Sequence, residues 1–141
     1  FVCEYNAVLG DIKKLTIPYK KNFLRTKFHY SNLAYGASIN AFQELSERKG
    51  YVFIGTNSNG VNAYFIKKKY FKFLKNKIKN FKKFPSKFRE SRNKHYEKNF
   101  LKGNNRKKAI EKLDLIELNK KKKIIKLKNI KRIYSKKWIY N

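Results

Sequence analysis

Residues 38–50 read Ser38-Ile39-Asn40-Ala41-Phe42-Gln43-Glu44-Leu45-Ser46-Glu47-Arg48-Lys49-Gly50, and residues 51–66 continue as Tyr51-Val52-Phe53-Ile54-Gly55-Thr56-Asn57-Ser58-Asn59-Gly60-Val61-Asn62-Ala63-Tyr64-Phe65-Ile66. This stretch decides the fold. Ile39, Phe42 and Leu45 recur at three-residue steps while Gln43, Glu44, Glu47 and Arg48 occupy the other face, which predicts a helix over 38–49. Gly50 is a natural stop, because a glycine tolerates the left-handed turn that ends many helices. Residues 51–54 and 61–66 are β-branched and aromatic runs, and the turn residues between them end in Asn-Gly, so they predict an antiparallel hairpin. The loop is longer than a minimal hairpin turn, which leaves the register open.

Toward the amino terminus, Phe1-Val2-Cys3-Glu4-Tyr5 is a short β-prone run closed by Asn6 and Gly10-Asp11. We expect a central, parallel strand buried on both faces. Residues 11–33 show no sustained period, and Pro18 with Tyr19, Phe23, Phe28 and Tyr30 predicts a long loop pinned by aromatics. The expected class is therefore α/β: strand, long loop, helix and antiparallel hairpin over residues 1–69.

Beyond Lys67 the pattern changes to aromatics and isoleucines set in lysine. Tyr70, Phe71, Phe73, Leu74, Ile78, Phe81 and Phe84 fit a basic amphipathic helix up to Pro85. Ser86 is a candidate cap for a second helix, and Ile110, Leu113, Leu115, Ile116 and Leu118 fit a third over 105–119. Ile124, Leu127, Ile130, Tyr134 and Trp138 continue as a possible helical stripe, so residues 70–141 are expected to form a basic, mainly helical extension.

Charge divides the chain in the same place. Residues 1–70 carry 11 Lys and Arg against 4 Asp and Glu, and residues 71–141 carry 26 against 5, giving three quarters of the net +28 to the second half. Such a surface attracts phosphate polyanions, either nucleic acid or anionic lipid, with Lys67, Lys68, Lys69, Lys120, Lys121, Lys122 and Lys123 as the densest runs. A/T-rich codons would produce the same composition, since lysine outnumbers arginine 31 to 6 and phosphate sites favour arginine's bidentate fork. Both explanations stay open at this point.

Several function classes find no support. No glycine-rich strand-to-helix turn for a dinucleotide occurs, nor a phosphate loop ending in Gly-Lys-Ser/Thr, nor a Gly-x-Ser-x-Gly elbow. Cys3, His29 and His95 have no zinc-type spacing, so no metal is expected, and no apolar run is long enough to span a membrane. A lone cysteine fits a reducing cytoplasm. The chain has no methionine and begins inside an apolar run, from which we expect a fragment or a processed product.

Candidate chemistry lies in three places. Glu4, Tyr5 and Asn6 stand where the first strand runs into a loop, the edge at which open α/β sheets bind ligands. His29, Tyr30 and Ser31 offer a group titrating near neutrality beside a hydroxyl. Asn57 and Asn62 bring amides to the hairpin loop, although asparagine equally serves turns by bonding its own backbone.

The segments FVCEYNAVLG (1–10), LTIPY (15–19), HYSNLAYGAS (29–38) and ERKGYVFIGTNSNGVNAYFI (47–66) resemble the C-terminal part of bacterial methyltransferase-like proteins related to the FkbM family. The resemblance covers about residues 1–67 and implies a Rossmann-like, class I S-adenosylmethionine-dependent fold. It makes residues 1–5 the fifth strand, 36–49 the helix before the sixth, and 51–66 the antiparallel sixth and seventh strands. By the same likeness Glu4, Tyr5 and Asn6 line the acceptor side of the pocket, and residues 29–31 belong to its lid. The turn and acidic residue that hold the cofactor in such enzymes lie upstream of Phe1. We thus expect no cofactor bound by this piece, S-adenosylmethionine in the intact parent, and the missing N-terminal part of the domain as its first partner.

Overall fold

The computed structural model describes residues 1–57, 60–77, 101, 104–119 and 121–136. The helix and hairpin form as the sequence predicts. Ser38 caps α2 (Ile39–Arg48), its Oγ accepting from the Ala41 amide, and Gly50 leaves the helix at φ 76°. Ile39 and Ala41 face inward from this helix. The chain then turns back through β3 (Tyr51–Thr56) and β4 (Asn62–Lys67), which pair antiparallel from Tyr51↔Lys67 to Thr56↔Ala63. A bulge between Phe53 and Gly55 shifts the register, which is the detail that the long loop left open.

The opening run departs from expectation. β1 (Val2–Glu4) pairs antiparallel with β4, and the sheet order β1-β4-β3 puts it at an edge. It is a short edge strand, neither parallel nor buried on both faces: Phe1 is 53% exposed and Val2 55%. The physical reason is that an apolar run of this length states only that its residues can be buried. Whether a second neighbour covers them is decided elsewhere.

The long loop also holds more structure than its irregular pattern suggested. Leu15–Thr16 form β2, and Arg25–Phe28 form a single helical turn, α1. Thr16 bridges to Ala37, tying this loop to the start of α2.

The lysine-rich half is corrected most. Tyr70, Phe71, Phe73 and Leu74 do lie in a helix, α3 (Lys68–Leu74). The helix expected over 105–119 stops early, however: α4 spans Asn104–Ile110, and β5 (Asp114–Glu117) and β6 (Lys123–Lys126) follow as a hairpin. Leu115 and Glu117 point inward and Asp114 outward, a strand's alternation over residues also spaced for a helix. β2 accepts β5 as its antiparallel neighbour, giving a second sheet in the order β2-β5-β6. The three-residue step from Leu127 to Ile130 belongs to a 3-10 turn, Leu127–Asn129, and not to an α-helix. The expected continuations at Ile78, Phe81, Phe84, Ser86 and Trp138 lie outside the described residues.

The core crosses the charge boundary. Val8, Leu9, Leu15 and Leu33 pack with Ile110, Leu115, Leu127 and Ile133 in one cluster. Burying each such side chain contributes about 1.5–3 kcal/mol, so the described tail residues are integral to the fold. A second cluster, Tyr5, Ala7, Ile39, Ala63 and Phe65, lies between α2 and the first sheet. Tyr134 packs against both clusters.

One junction joins residues 8–12 to residues 133–135. The amides of Asp11 and Ile12 donate to the Ile133 carbonyl at 3.0 and 3.1 Å, and the Tyr134 hydroxyl donates to the Val8 carbonyl at 2.7 Å. Asp11 Oδ1 accepts from the Ser135 amide at 2.8 Å, and its Oδ2 accepts from the Ser135 hydroxyl. Gly10, at φ 74°, makes room for this arm: a Cβ there would stand 2.1 Å from the Ile133 carbonyl oxygen.

Candidate functional site

The end of β1 gathers four of the sequence-predicted residues and the loop leading to the others. Glu4 is exposed and stands opposite Asn62 in the ladder, while Tyr5 and Asn6 are fully buried just beyond it. The Tyr5 amide donates to the Val61 carbonyl at 2.9 Å, which brings the hairpin loop to the same place. Tyr35, a residue the sequence reading passed over, donates its hydroxyl to the Tyr5 carbonyl at 3.4 Å. Burial raises the Tyr5 phenol well above its ordinary value, and a hydrogen bond with the Thr56 hydroxyl partly opposes that shift.

Asn6 is the knot of the site. Its Oδ1 accepts from the Val8 amide at 3.0 Å and caps the 3-10 turn Ala7–Leu9. Its Nδ2 donates to the carbonyls of Leu33 and Tyr35 at 2.6 and 2.9 Å, and its backbone amide donates to Ala37 at 2.8 Å. Both amide hydrogens are thereby spent on holding residues 33–37 against the strand end.

Ser31 is fully buried and His29 half-buried. His29 Nδ1 lies 2.7 Å from Ser31 Oγ and accepts from the Ser31 amide at 3.3 Å, which leaves the ring proton on Nε2 in the neutral form. Ser31 Oγ in turn accepts from the Leu33 amide at 3.2 Å. The pair resembles a base and a nucleophile in its spacing, but the hydroxyl is sealed from solvent and committed to the turn. Desolvation lowers the His29 pKa. Tyr30 packs its ring 4.4 Å from the imidazole, and Arg25 stacks its guanidinium 3.8 Å from the Tyr35 ring while donating from Nε to the Asn32 carbonyl at 2.7 Å.

In the hairpin, Asn57 Oδ1 accepts from the amides of Val61 and Asn62, both at 3.0 Å. That is the backbone-capping role asparagine takes in turns. Of the basic runs, Lys67 closes β4 and Lys68 and Lys69 open α3, with Lys69 over the Tyr70 ring at 4.8 Å. Lys121 and Lys122 lie in the turn that leads into β6, and Lys123 opens that strand. Lys120 lies outside the described residues.

Sequence reasoning also missed Arg106. It is 4% exposed, and its Nε and Nη1 find no hydrogen-bond partner among the described residues. Burial lowers its pKa, and the phenols of Tyr134 and Tyr35 act in the opposite direction. An arginine kept in a chain where lysine predominates was a sequence signal for it.

Two open clefts are lined by residues other than Glu4, Tyr5, Asn6 and residues 29–31. One, of about 510 Å³, runs between α2 and the second sheet, with Phe42 and Leu45 as an apolar wall and Arg48, Lys122 and the Lys14–Glu44 ion pair at its rim. The other, of about 450 Å³, lies between α4 and residues 131–136 and is strongly basic. Among the described residues no group of three metal-ligating side chains occurs, and no helix is long and apolar enough to cross a membrane. No protein-family model, curated protein or solved structure matches the chain.

Proposed function

We propose that this chain is the acceptor-side, C-terminal portion of an S-adenosylmethionine-dependent methyltransferase-like α/β domain, inactive by itself, whose parent methylates a small-molecule or sugar hydroxyl. The observation that carries this reading is the unfilled outer edge of β1. Successive residues of an antiparallel strand alternate the sides to which they donate. The Tyr5 amide faces β4, so Val2 and Glu4 present their amides outward, where no described strand pairs with them. Next to that edge the large apolar Phe1 and Val2 are exposed. Open edges flanked by apolar side chains are normally covered, and a preceding strand of the same domain is the simplest cover.

In this proposal Glu4 stands at the pocket mouth as an exposed carboxylate able to accept a hydrogen bond from an acceptor hydroxyl. Asn6 and Tyr35 hold the strand end and the following loop in place behind it. Residues 29–31 border the entrance. This chain supplies no glycine-rich turn, so the cofactor, which would provide the methyl group, fits only a preceding segment, and we assign no step to it here. The test is to express the polypeptide encoded by the whole reading frame and measure S-adenosylmethionine binding by calorimetry. Binding by that polypeptide and none by residues 1–141 supports the proposal. No binding by the longer polypeptide, or an initiator codon directly before Phe1, defeats it.

A second reading is a basic binding module for nucleic acid or an anionic membrane. It is favoured by the charge of the second half and by α3, which exposes Tyr70 and Phe73 among lysines.

A further inference from the structure

The cleft between α4 and residues 131–136 concentrates positive charge on a fixed frame. Lys107 and Lys108 enter from the helix, Lys131, Arg132 and Lys136 from the arm, and Glu111 is the only carboxylate among the described residues of its lining. The ion pairs of the described residues lie elsewhere, joining Lys13 to Glu117, Lys14 to Glu44 and Lys126 to Asp114. The cleft's lysines are therefore left without a neutralising partner among the described residues.

The arm that carries three of these cations is not a loose tail. Ile133 is held through its carbonyl by two amides, Tyr134 through its hydroxyl by Val8, and Ser135 by both oxygens of Asp11. Binding an anion here would need little ordering of the backbone, which keeps its entropic cost low. Arg106 lies on the interior side of the same helix and is not part of the cleft lining. Like charges gathered around one cleft repel one another, and a polyanion would relieve that repulsion. The volume of about 450 Å³ falls within the range of small-molecule sites.

We propose that this cleft binds a ligand carrying two or more adjacent phosphoryl groups, supplied either by a free nucleotide-like molecule or by a nucleic-acid backbone. The site narrows the basic-module reading to one place in the fold and is independent of methyl transfer.

The test is calorimetry on the whole 141-residue chain with inorganic pyrophosphate, ATP and a short oligothymidylate. Four proteins are compared, the first three being the parent, Lys108→Glu with Lys131→Glu, and the charge-matched control Lys27→Glu with Lys49→Glu. Lys108→Gln with Lys131→Gln serves as a gentler cleft variant, and circular dichroism verifies folding. Pyrophosphate should bind the parent, the cleft pair should weaken it about tenfold or more, and the control should weaken it less than about twofold, with a steep salt dependence throughout. ATP following pyrophosphate assigns a free ligand, and an oligothymidylate equally sensitive to the cleft pair assigns a polymer backbone. Equal losses from both pairs overturn the cleft while leaving a diffuse basic surface. Absence of binding to all three probes overturns it as well.

Discussion

Replacing Gly10 with alanine should release the C-terminal arm and cost about 4 kcal/mol. Gly10 sits at φ 74° and ψ −168°, a region essentially reserved for glycine, and holding alanine there costs about 1–3 kcal/mol. The added methyl would also stand 2.1 Å from the Ile133 carbonyl oxygen and 2.7 Å from its carbon, both of them backbone atoms, so the arm must move. Moving it breaks the two amide bonds to Ile133, each contributing about 0.5–1.5 kcal/mol, and uncovers an Ile133 side chain that is now 2% exposed. Burial of an isoleucine contributes about 1.5–3 kcal/mol, and partial relaxation brings the sum to the figure given. Urea denaturation followed by tryptophan-independent circular dichroism reads the loss as a fall of about 2 M in midpoint at a typical slope. Limited trypsin digestion should at the same time cut faster at Lys131 and Arg132. A Gly10→Ala protein within about 0.5 kcal/mol of the parent, with unchanged cleavage, would refute the close approach and the integral role of the arm.

Three further outcomes are expected. Asn6→Ala leaves the Leu33 and Tyr35 carbonyls and the Val8 amide without their buried partner, and should destabilise by about 3 kcal/mol in the same urea assay. The His29 pKa is lowered below 6.5 by burial, so the unfolded chain takes up the proton first; the fold keeps its full stability above that value and loses some as pH falls through it toward the folded pKa. His29→Gln should flatten that acid-side decline, and an unchanged slope would argue against the buried neutral ring. Arg106→Met removes a buried and incompletely partnered guanidinium, and without added phosphate it should raise stability by about 1 kcal/mol; a marked loss would show that the guanidinium is held by strong contacts.

The parts of the fold legible in the sequence were those specified locally. Ser38, the three-residue steps of Ile39, Phe42 and Leu45, and Gly50 state a helix and both its ends within one short window. The Asn-Gly turn between two β-rich runs likewise states a hairpin. β1 was legible as a strand but not as an edge, because an apolar run does not name its neighbours. The second sheet was illegible for a related reason: Leu15 pairs with Glu117, and no local pattern records a partner so distant in sequence. Between Leu113 and Leu118 the apolar spacing satisfies helix and strand alike, and the free edge of β2 decides in favour of the strand.

At the candidate site, the position of Glu4, Tyr5 and Asn6 at a strand end was visible, but what occupies Asn6 was not. Its partners lie 27 and 29 residues further along the chain. Asn57 behaves as turn chemistry alone predicts. Arg106 could not be read as buried, because a charged side chain ordinarily stays in solvent, even though its spacing of four residues from Ile110 puts the two on one helix face.

The most direct measurement is amide hydrogen exchange at Val2 and Glu4, followed by NMR in the 141-residue chain and in the polypeptide of the whole reading frame. If β1 is an interior strand of a larger methyltransferase-like sheet, both amides exchange quickly in the shorter chain and become protected in the longer one, while Cys3 and Tyr5 are protected in both. Fast exchange at Val2 and Glu4 in the longer polypeptide would show that nothing docks on that edge, and would contradict the proposed function.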